Sequence, residues 1–240
     1  MRLHRFYVSQ PLGEEVVIED VSTIKQWLKV FRYTKGDFVI LFNGDGKDYT
    51  YSLEKTSPSA CSLTRTASSS SCMPTRKSYL FLSVIKKDLF ELVVEKATEC
   101  GITDIVPIYS ERTEKKNLNF SRLESIIKEA SEQSGRGTLL TLHEPLSLLE
   151  ALEKVKEEAT LIDDVYVATL FGKTVHEILS EKIPSSKGSS VAFFVGPEGG
   201  WSDAEEELFK NGQYTQLFLG KTTLRAETAG ITCAILASLL

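Results

Sequence analysis

The C-terminal segment Val191–Leu240 constrains the fold of this chain more than any other. Val191–Val195 is an uninterrupted apolar run (VAFFV), followed by a GPEGG loop, a short polar helix pattern and a second strand pattern, YTQLFLG. An apolar run without alternating polar residues is typical of a parallel strand that is covered on both faces. Because a polar loop and a helix beginning at Arg225 close the segment, it predicts two consecutive strand–loop–helix units.

The GPEGG loop, Gly196–Gly200, follows the first of these strands and so lies at a carboxyl end, where open α/β sheets bind ligands. Its glycines allow positive φ and close approach to a ligand, while Pro197 stiffens the turn. The loop lacks the Lys and Ser/Thr of a Walker loop and the GxGxxG of a dinucleotide fingerprint. Its carboxylate, Glu198, disfavours phosphate and favours a cationic or hydroxyl-bearing ligand, although a purely structural turn is the alternative interpretation.

The composition is that of an ordinary soluble, globular protein. The chain has 240 residues, 42% hydrophobic and 25% charged, enough for one large domain or two smaller ones. We expect neither a signal peptide nor a membrane helix, because no apolar run follows the basic N-terminus and the longest apolar stretch is too short. The four cysteines show no CxxC spacing, which with only three histidines predicts no metal site and a reducing cytoplasm.

Charge is unevenly distributed along the chain. The net charge of -5 argues against a nucleic-acid partner, but residues 1–90 contain 13 Lys and Arg against 9 Asp and Glu, whereas the remainder contains 15 against 24. The basic excess therefore lies at the N-terminal end, where an RNA-docking module would use it. A solvated surface explains this modest bias about as well.

Residues 1–75 are predicted to form a small β domain. Short strand patterns surround one helical pattern in Ser22–Thr34, and the NGDGK turn between two strand patterns is a strong hairpin signal. Short strands around one helix predict a small barrel. Ser57–Thr75 is polar and rich in serine, so we interpret it as a linker or mobile loop and place the boundary to a second domain, residues 76–240, at its end.

From Tyr79 onward, strand and helix patterns alternate. Helix starts are predicted at pairs of a capping residue and a glutamate three positions later: Asp88 and Glu91, Ser121 and Glu124, Ser147 and Glu150, Thr174 and Glu177, Ser202 and Glu205. The alternation predicts a parallel sheet with helices on both faces. Since true knots are essentially absent from folds, the residue patterns alone favour an ordinary doubly wound sheet.

A resemblance to a known family is carried by two C-terminal motifs, VGPEGGWSDAEEE and LGKTTLRAETA. They resemble the signature of the RsmE family, the bacterial small-subunit rRNA uracil-N3 methyltransferases of the SPOUT superfamily. MRLHRFYV, GDFVILFNGDG, ELVVEKATECGITDIVPIYSER and EASEQSGR are similar to the family as well. The resemblance covers most of the chain and is weakest in the Ser-rich stretch and in residues 150–190.

The resemblance implies a fold that the residue patterns do not give. It implies an α/β SPOUT-type methyltransferase domain with a trefoil knot, preceded by a PUA-like RNA-binding β-barrel domain. It also implies S-adenosylmethionine as cofactor, 16S rRNA within the small ribosomal subunit as substrate, and a homodimer formed through the knotted domain. The small residues Ala226, Thr228, Ala229 and Gly230 are compatible with a segment that passes beneath other loops.

The resemblance also implies the site residues. Cofactor-binding positions are expected at Gly196, Pro197, Glu198, Gly199, Gly200, Leu219, Gly220, Leu224, Thr228 and Ala229. Uracil N3 carries a proton at neutral pH, so methylation needs a base, or a cation that stabilises the uracilate. Glu198 and Glu227 are candidate bases, and Arg225 is the candidate partner of a uracil oxygen. Alternatively, Glu198 binds ribose hydroxyls or caps a helix, and Arg225 and Glu227 pair with one another.

Contacts with RNA are predicted at cations of the N-terminal domain and in the EQSGR motif: Arg2, Arg5, Arg32, Lys35, Gln133 and Arg136. Each of the N-terminal cations is more readily interpreted as an ordinary surface charge, whereas Arg136 is equally well interpreted as a residue that stabilises a helix end. Because N3 lies on the Watson–Crick edge, the target uridine must be unpaired before it reacts.

Two other functions remain compatible with these motifs. One is ribose 2'-O or tRNA methylation on the same fold, and the other is a non-enzymatic RNA-binding assembly factor.

Overall fold

A computed structural model describes residues 3–114, 117–157, 162–181 and 190–240. The chain forms two compact units. The first contains the described residues up to Met73 together with Ser131–Leu139, and the second contains Pro74–Ala130 and Leu140–Leu240. Helix α3 (Phe120–Ser134) begins in the second unit, and its last residues, from Ser131 onward, belong to the first unit.

The first unit is built on a five-stranded sheet in the order β1-β3-β4-β5-β2. Its strands are β1 (Arg5–Tyr7), β2 (Glu15–Ile18), β3 (Phe38–Phe42), β4 (Lys47–Thr56) and β5 (Cys61–Ser70). β1 and β3 are parallel and the other pairs are antiparallel. Helix α1 (Val21–Lys25) continues into a π-helical segment, Gln26–Phe31, and places Trp27 in the core.

The prediction that Ser57–Thr75 is a linker or mobile loop is wrong. Most of this segment is β5, which pairs with β4 along its length and with β2 through Cys61–Thr64. Cys61 and Leu63 face the core, whereas the serines beyond Thr66 are exposed and are held only by the backbone ladder. Small polar residues resemble a loop in composition, but a hairpin partner supplies the backbone hydrogen bonds that make them a strand.

Arg5 is a buried structural residue of the first unit. Its guanidinium donates to both carboxylate oxygens of Asp48, at 2.9 and 2.7 Å, and to the carbonyl oxygens of Ser131 and Arg136, at 3.0 and 3.2 Å. It also lies 4.2 Å from the centroid of the Phe42 ring. These contacts occupy the guanidinium within the unit, so the structure gives Arg5 a structural role in place of the predicted contact with RNA phosphate.

Replacing Arg5 with Met is expected to destabilise the first unit by about 3 kcal/mol, because it leaves the Asp48 carboxylate and two carbonyls without their donor. Urea unfolding followed by Trp27 fluorescence in a Trp201→Phe background measures this, since Trp27 lies in the core of this unit. Arg32→Met, which removes an exposed guanidinium, serves as control. Equal unfolding free energies for the two variants would contradict the structural role.

The second unit contains an eight-stranded sheet within the described residues, in the order β11-β13-β10-β12-β6-β7-β8, with β9 paired to β7. Its strands are β6 (Ser78–Ser83), β7 (Asp104–Tyr109), β8 (Thr141–Leu142), β9 (Leu146–Ser147), β10 (Ile162–Thr169), β11 (Lys173–Thr174), β12 (Ser190–Val195) and β13 (Thr215–Phe218). Every recorded pair is parallel. β12 lies between β10 and β6 with all six residues buried, which confirms the prediction of a parallel strand covered on both faces.

The helices after α1 are α2 (Lys87–Glu99), α3 (Phe120–Ser134), α4 (Leu148–Glu157), α5 (Val175–Glu181), α6 (Asp203–Asn211) and α7 (Ala226–Leu239). The predicted capping pairs of α4, α5 and α6 are confirmed by reciprocal hydrogen bonds. Two predicted caps are wrong: α2 begins after Lys86 and not at Asp88, and Asn119 rather than Ser121 caps α3. Asp88 lies in the first helical turn, where acidic residues are also favoured by the helix dipole.

No helix in the described part of the chain is long and apolar enough to cross a membrane.

Candidate active site

Four glycine- or lysine-containing loops of the second unit lie at the carboxyl edge of its sheet. They follow β6, β10, β12 and β13, and because these strands are parallel, their carboxyl ends share one edge. The strand order places β10 between β12 and β13. The GPEGG loop and the loop after β13 are therefore two strand spacings apart, about 10 Å. The loop after β10 therefore lies between them.

The GPEGG loop folds tightly around Trp201. A Cβ at Gly196 would lie 3.1 Å from the indole ring, so a side chain there would require the ring to shift by a few tenths of an ångström. The indole N–H donates to the carbonyl of Ala168 in β10 at 3.0 Å. Gly200 has a φ of 69° and donates its N–H to the carbonyl of Pro197 at 2.9 Å. Trp201 thus fixes the loop against the neighbouring strand.

Arg112, in the loop after β7, holds the GPEGG loop from the other side. Its Nη1 donates to the carbonyls of Gly199 and Trp201, at 3.0 and 2.9 Å. A Cβ at Gly199 would lie 3.3 Å from the Arg112 side chain. The neighbouring backbone N–H of Glu111 donates to the buried Glu205 carboxylate at 2.8 Å. The sequence patterns did not identify Arg112 as a site residue, although it ends the family-like stretch ELVVEKATECGITDIVPIYSER.

Arg112→Ala is expected to loosen this loop, with amide hydrogen exchange at residues 196–205 about tenfold faster, since one charge-assisted hydrogen bond contributes about 1.5 kcal/mol. Exchange measured by mass spectrometry on the whole protein tests this. Arg122→Ala, which removes an exposed guanidinium on α3, is the matched control. Identical protection of the loop in both variants would show that Arg112 does not hold it.

Glu198 contacts the residue that precedes α2, and α7 packs against α2 and β6. The exposed Glu198 accepts the backbone N–H of Lys86, the residue before α2, at 3.2 Å. A Cβ at Gly230 of α7 would lie 3.0 Å from Val93 of α2 and 3.5 Å from Leu82 of β6. The contact with Lys86 agrees with the helix-capping interpretation for one carboxylate oxygen of Glu198.

The second predicted cofactor loop runs from Leu219 to Leu224. Leu219, Gly220 and Leu224 are half-buried, and the three residues between Gly220 and Leu224 are exposed. In the part of the chain that the structure describes, no backbone group of residues 220–224 has a hydrogen-bond partner. This loop therefore presents free donors and acceptors at the sheet edge, as a ligand-binding backbone segment must.

Arg225 and Glu227 begin α7, and they do not pair with one another. Arg225 is the N-cap residue, is exposed, and makes no side-chain capping bond. Glu227 is only 8% exposed, and its Oε2 has no hydrogen-bond partner among the described residues. Residues two positions apart on a helix do not face each other, which explains the missing ion pair. Of the two predicted positions that follow, Thr228 is exposed and Ala229 is buried.

The loop after β10 is a third element of this edge that sequence reasoning missed. Leu170 and Phe171 are 69% and 44% exposed, unusual for large apolar side chains next to a sheet. Gly172 has a φ of 124°, and a Cβ there would lie 2.4 Å from the carbonyl oxygen of Gln216. Gly172 was the sequence signal that could have identified this loop. It follows the LIDDVYVA strand pattern and so repeats the strand-then-glycine pattern of the other two loops.

The site contains neither a metal set nor a reactive thiol. Among the described residues no group of three or more His, Cys, Asp and Glu side chains could hold a metal ion. Cys233, on α7, is fully buried, and burial raises the pKa of its thiol far above the ordinary value, so it stays protonated. The candidate groups at this edge of the sheet are the Glu198 and Glu227 carboxylates, the Arg225 guanidinium and the backbone of residues 220–224.

The predicted RNA-contacting residues belong to the first unit, except that Arg2 lies outside the described residues. Arg32 and Lys35 are exposed, and Lys35 forms an exposed ion pair with Glu54 at 3.7 Å. Gln133 is exposed in the last turn of α3, whereas Arg136 is buried like Arg5. Arg32, Lys35 and Gln133 are thus the accessible members of the set.

Comparison with known proteins identifies the family. A family model described as RNA methyltransferase domain matches residues 72–238, and one described as RNA methyltransferase PUA domain matches residues 28–64. Ribosomal RNA small subunit methyltransferase E of Rickettsia conorii is 30% identical over 249 residues, covering 97% of this chain and 93% of that protein. The chain belongs to the RsmE family of RNA methyltransferases. The Bacillus subtilis member is 29% identical and covers 84% of this chain and 81% of its own length.

Solved structures of the family agree with the fold. Ribosomal RNA small subunit methyltransferase E from Neisseria gonorrhoeae, bound to S-adenosyl methionine, matches with a TM-score of 0.82 and 26% identity, over 97% of this chain and 95% of that one. A putative methyltransferase from Legionella pneumophila in complex with the same cofactor has a TM-score of 0.82 and 27% identity, over 98% and 96%. The predicted fold class, a SPOUT-type α/β domain with a PUA-like N-terminal domain, is confirmed.

Proposed function

We propose that this protein transfers a methyl group from S-adenosylmethionine to N3 of a specific, unpaired uridine in 16S rRNA of the small ribosomal subunit. Family membership supports the reaction class, and relatives with the same fold bind this cofactor. The observation that carries the proposal is the edge loop 220–224, whose backbone has no hydrogen-bond partner among the described residues. Beside it lie the exposed Arg225 and a buried Glu227 whose Oε2 also lacks a partner in the described part of the chain. We expect the enzyme to work in the cytoplasm, where it would meet the proposed rRNA substrate.

The residues at the sheet edge fit the cofactor. Its adenine and ribose need hydrogen-bonding partners and an apolar contact, and the 220–224 backbone with exposed Leu170 and Phe171 offers both. Glu198 keeps one carboxylate oxygen beyond its contact with Lys86 for a ribose hydroxyl or the ammonium group. When bound, S-adenosylmethionine supplies an electrophilic methyl group. The chain must then provide a deprotonated uracil N3.

Arg225 and Glu227 carry the proton chemistry in this proposal. Arg225 donates to a uracil oxygen and stabilises the negative charge that develops as N3 loses its proton. Glu227 accepts that proton, directly or through water. A buried acceptor without a partner costs about 1–3 kcal/mol, which is tolerated where a substrate supplies the missing hydrogen. Glu198, already bonded to Lys86, positions the GPEGG loop.

The proposed roles predict distinct losses of activity. Arg225→Ala is expected to lower kcat for methyl transfer about 100-fold or more, with little change in cofactor affinity. Glu227→Gln is expected to lower kcat about 100-fold. The difference in kcat from the wild type should narrow as pH rises, because a larger fraction of uracil N3 is then deprotonated by hydroxide. Transfer of radiolabelled methyl to 16S rRNA and isothermal calorimetry with the cofactor measure these two quantities.

Lys156→Ala, an exposed change on α4, is the control for both variants. Wild-type rates for Arg225→Ala would remove that residue from the mechanism.

The methylated atom is identified from the product. N3-methyluridine blocks base pairing, so reverse transcription of rRNA treated with the protein and cofactor should stop at one uridine. A methylated product that reverse transcription passes would indicate ribose 2'-O methylation. Failure to bind cofactor together with retained RNA affinity would indicate a non-enzymatic assembly factor.

A homodimer formed through the methyltransferase domain is part of the proposal. One face of α7 carries Thr228, Thr232, Ile235 and Leu239, which recur at helical spacing. Ile235 and Leu239 are 46% and 62% exposed in the single chain, an apolar stripe that a second copy would cover.

Ile235→Glu is therefore expected to shift the protein from dimer to monomer, because it places a charge in the middle of this stripe. Size-exclusion chromatography with light scattering measures the mass. Leu149→Glu, at an equally exposed leucine on α4, should leave the dimer intact. An unchanged dimer with Ile235→Glu would exclude this face of α7.

A further inference from the structure

Three aromatic side chains of the first unit form a surface group, His4, Phe31 and Tyr33, here called the aromatic cluster. Tyr33 stacks on Phe31 with ring centroids 5.4 Å apart and planes inclined by 17°. The His4 ring lies 4.2 Å from that of Phe31, and a hydrogen bond of 2.5 Å joins His4 Nδ1 to the Tyr33 hydroxyl. His4 is exposed, and the other two are half-buried.

The aromatic cluster is anchored in the core of the unit. Phe31 meets Phe6 edge to face at 5.8 Å, and Phe6 meets the fully buried Trp27 in the same way at 5.2 Å. The backbone N–H of Tyr33 donates to the carbonyl of Trp27 at 3.0 Å. Burial and, secondarily, the charge of Asp37 raise the pKa of the Tyr33 hydroxyl, so it remains neutral. The rings are therefore held in place before any partner binds.

Exposed cations surround the cluster in sequence. Residues 25–35, KQWLKVFRYTK, contain no acidic residue and four exposed cations: Lys25, Lys29, Arg32 and Lys35. Arg32 lies between Phe31 and Tyr33 with a φ of 57°, at the end of the π-helical segment. The nearest acidic groups engage other atoms: Asp37 accepts from the backbone and hydroxyl of Thr34, and Glu54 pairs weakly with Lys35.

We infer that the aromatic cluster is a docking site for an unpaired nucleobase of the RNA substrate, which stacks on its rings while Arg32 and Lys35 contact the adjoining phosphates. The inference rests on the proposed function only in taking RNA as the substrate. Aromatic rings held in place beside exposed cations suit single-stranded nucleic acid, because bases gain from stacking and the phosphate backbone is attracted to positive charge. An acidic peptide would use the cations but gain little from the rings.

Two ring-removing variants and one ring-keeping variant test the site in the full-length protein. His4→Ala and Tyr33→Leu each remove a ring, while Tyr33→Phe keeps the ring and loses only the hydroxyl. The probes are a labelled single-stranded oligouridylate and an abasic oligonucleotide of the same length, with binding measured by fluorescence anisotropy. Phe38→Ala removes an exposed aromatic ring elsewhere in the same unit and is the matched control.

His4→Ala and Tyr33→Leu are each expected to raise the Kd for oligouridylate about tenfold, as loss of one stacking partner does. Binding of the abasic probe should not change, and Tyr33→Phe and Phe38→Ala should bind both probes like the wild type. An equal loss of affinity for the two probes would show that the substitutions act by disturbing the fold and not by removing a stacking partner. Wild-type binding by both ring-removing variants, or no preference of the wild type for the base-containing probe, would overturn the site.

Methyl transfer separates this inference from the proposed function. In the wild type, transfer to 16S rRNA tests the function itself. In His4→Ala the inference predicts a higher KM for RNA, with kcat and cofactor affinity unchanged, because the cluster positions RNA and takes no part in chemistry. An inactive wild type that still shows the base-dependent oligouridylate binding would reject the function and retain the docking site.

Discussion

The parallel pairing of β12 with β10 and β6 is the constraint on which the candidate active site depends. Parallel hydrogen bonding sets the carboxyl ends of these strands at one edge, and β13 joins through β10, so three glycine-containing loops emerge side by side. β12 tolerates this central position because none of its residues is polar enough to need water, apart from its first serine. The proposed catalytic residues Arg225 and Glu227 lie near this edge because β13 returns the chain to it before α7 begins.

The GPEGG loop is held mainly by groups outside it. Arg112 binds two carbonyls of the GPEGG loop, and Trp201 ties the same loop to β10. The Glu205 carboxylate caps α6 through the N–H of Ser202 and also accepts the N–H of Glu111, so one buried charge joins two loops. Such support from neighbouring elements fixes the geometry of the loop.

The sequence predicted those elements whose signals are local. The strand β12, the capping pairs of α4, α5 and α6, and the start of α7 at Arg225 follow from apolar runs and short-range hydrogen bonding, and each was confirmed. Strand β5 was missed because its stability comes from pairing with β4 and not from its serine-rich composition. Arg112 and the loop at Leu170 were missed because their positions depend on strand order, which periodicity does not encode, and the SPOUT topology came from family resemblance alone.

Arg225 and Glu227 show why a site can contain two opposite charges that do not neutralise each other. They are separated by one residue at a helix start, and positions two apart point in different directions, so the ion pair that sequence proximity suggests does not form. The guanidinium stays exposed and the carboxylate stays buried with an unbonded oxygen. An ion pair would have occupied both groups in the absence of substrate. In the proposed reaction, their separation leaves the guanidinium able to donate to a developing negative charge and the carboxylate able to accept the proton. The structural cost of the unbonded oxygen is thus best explained by the chemistry that the proposed reaction requires.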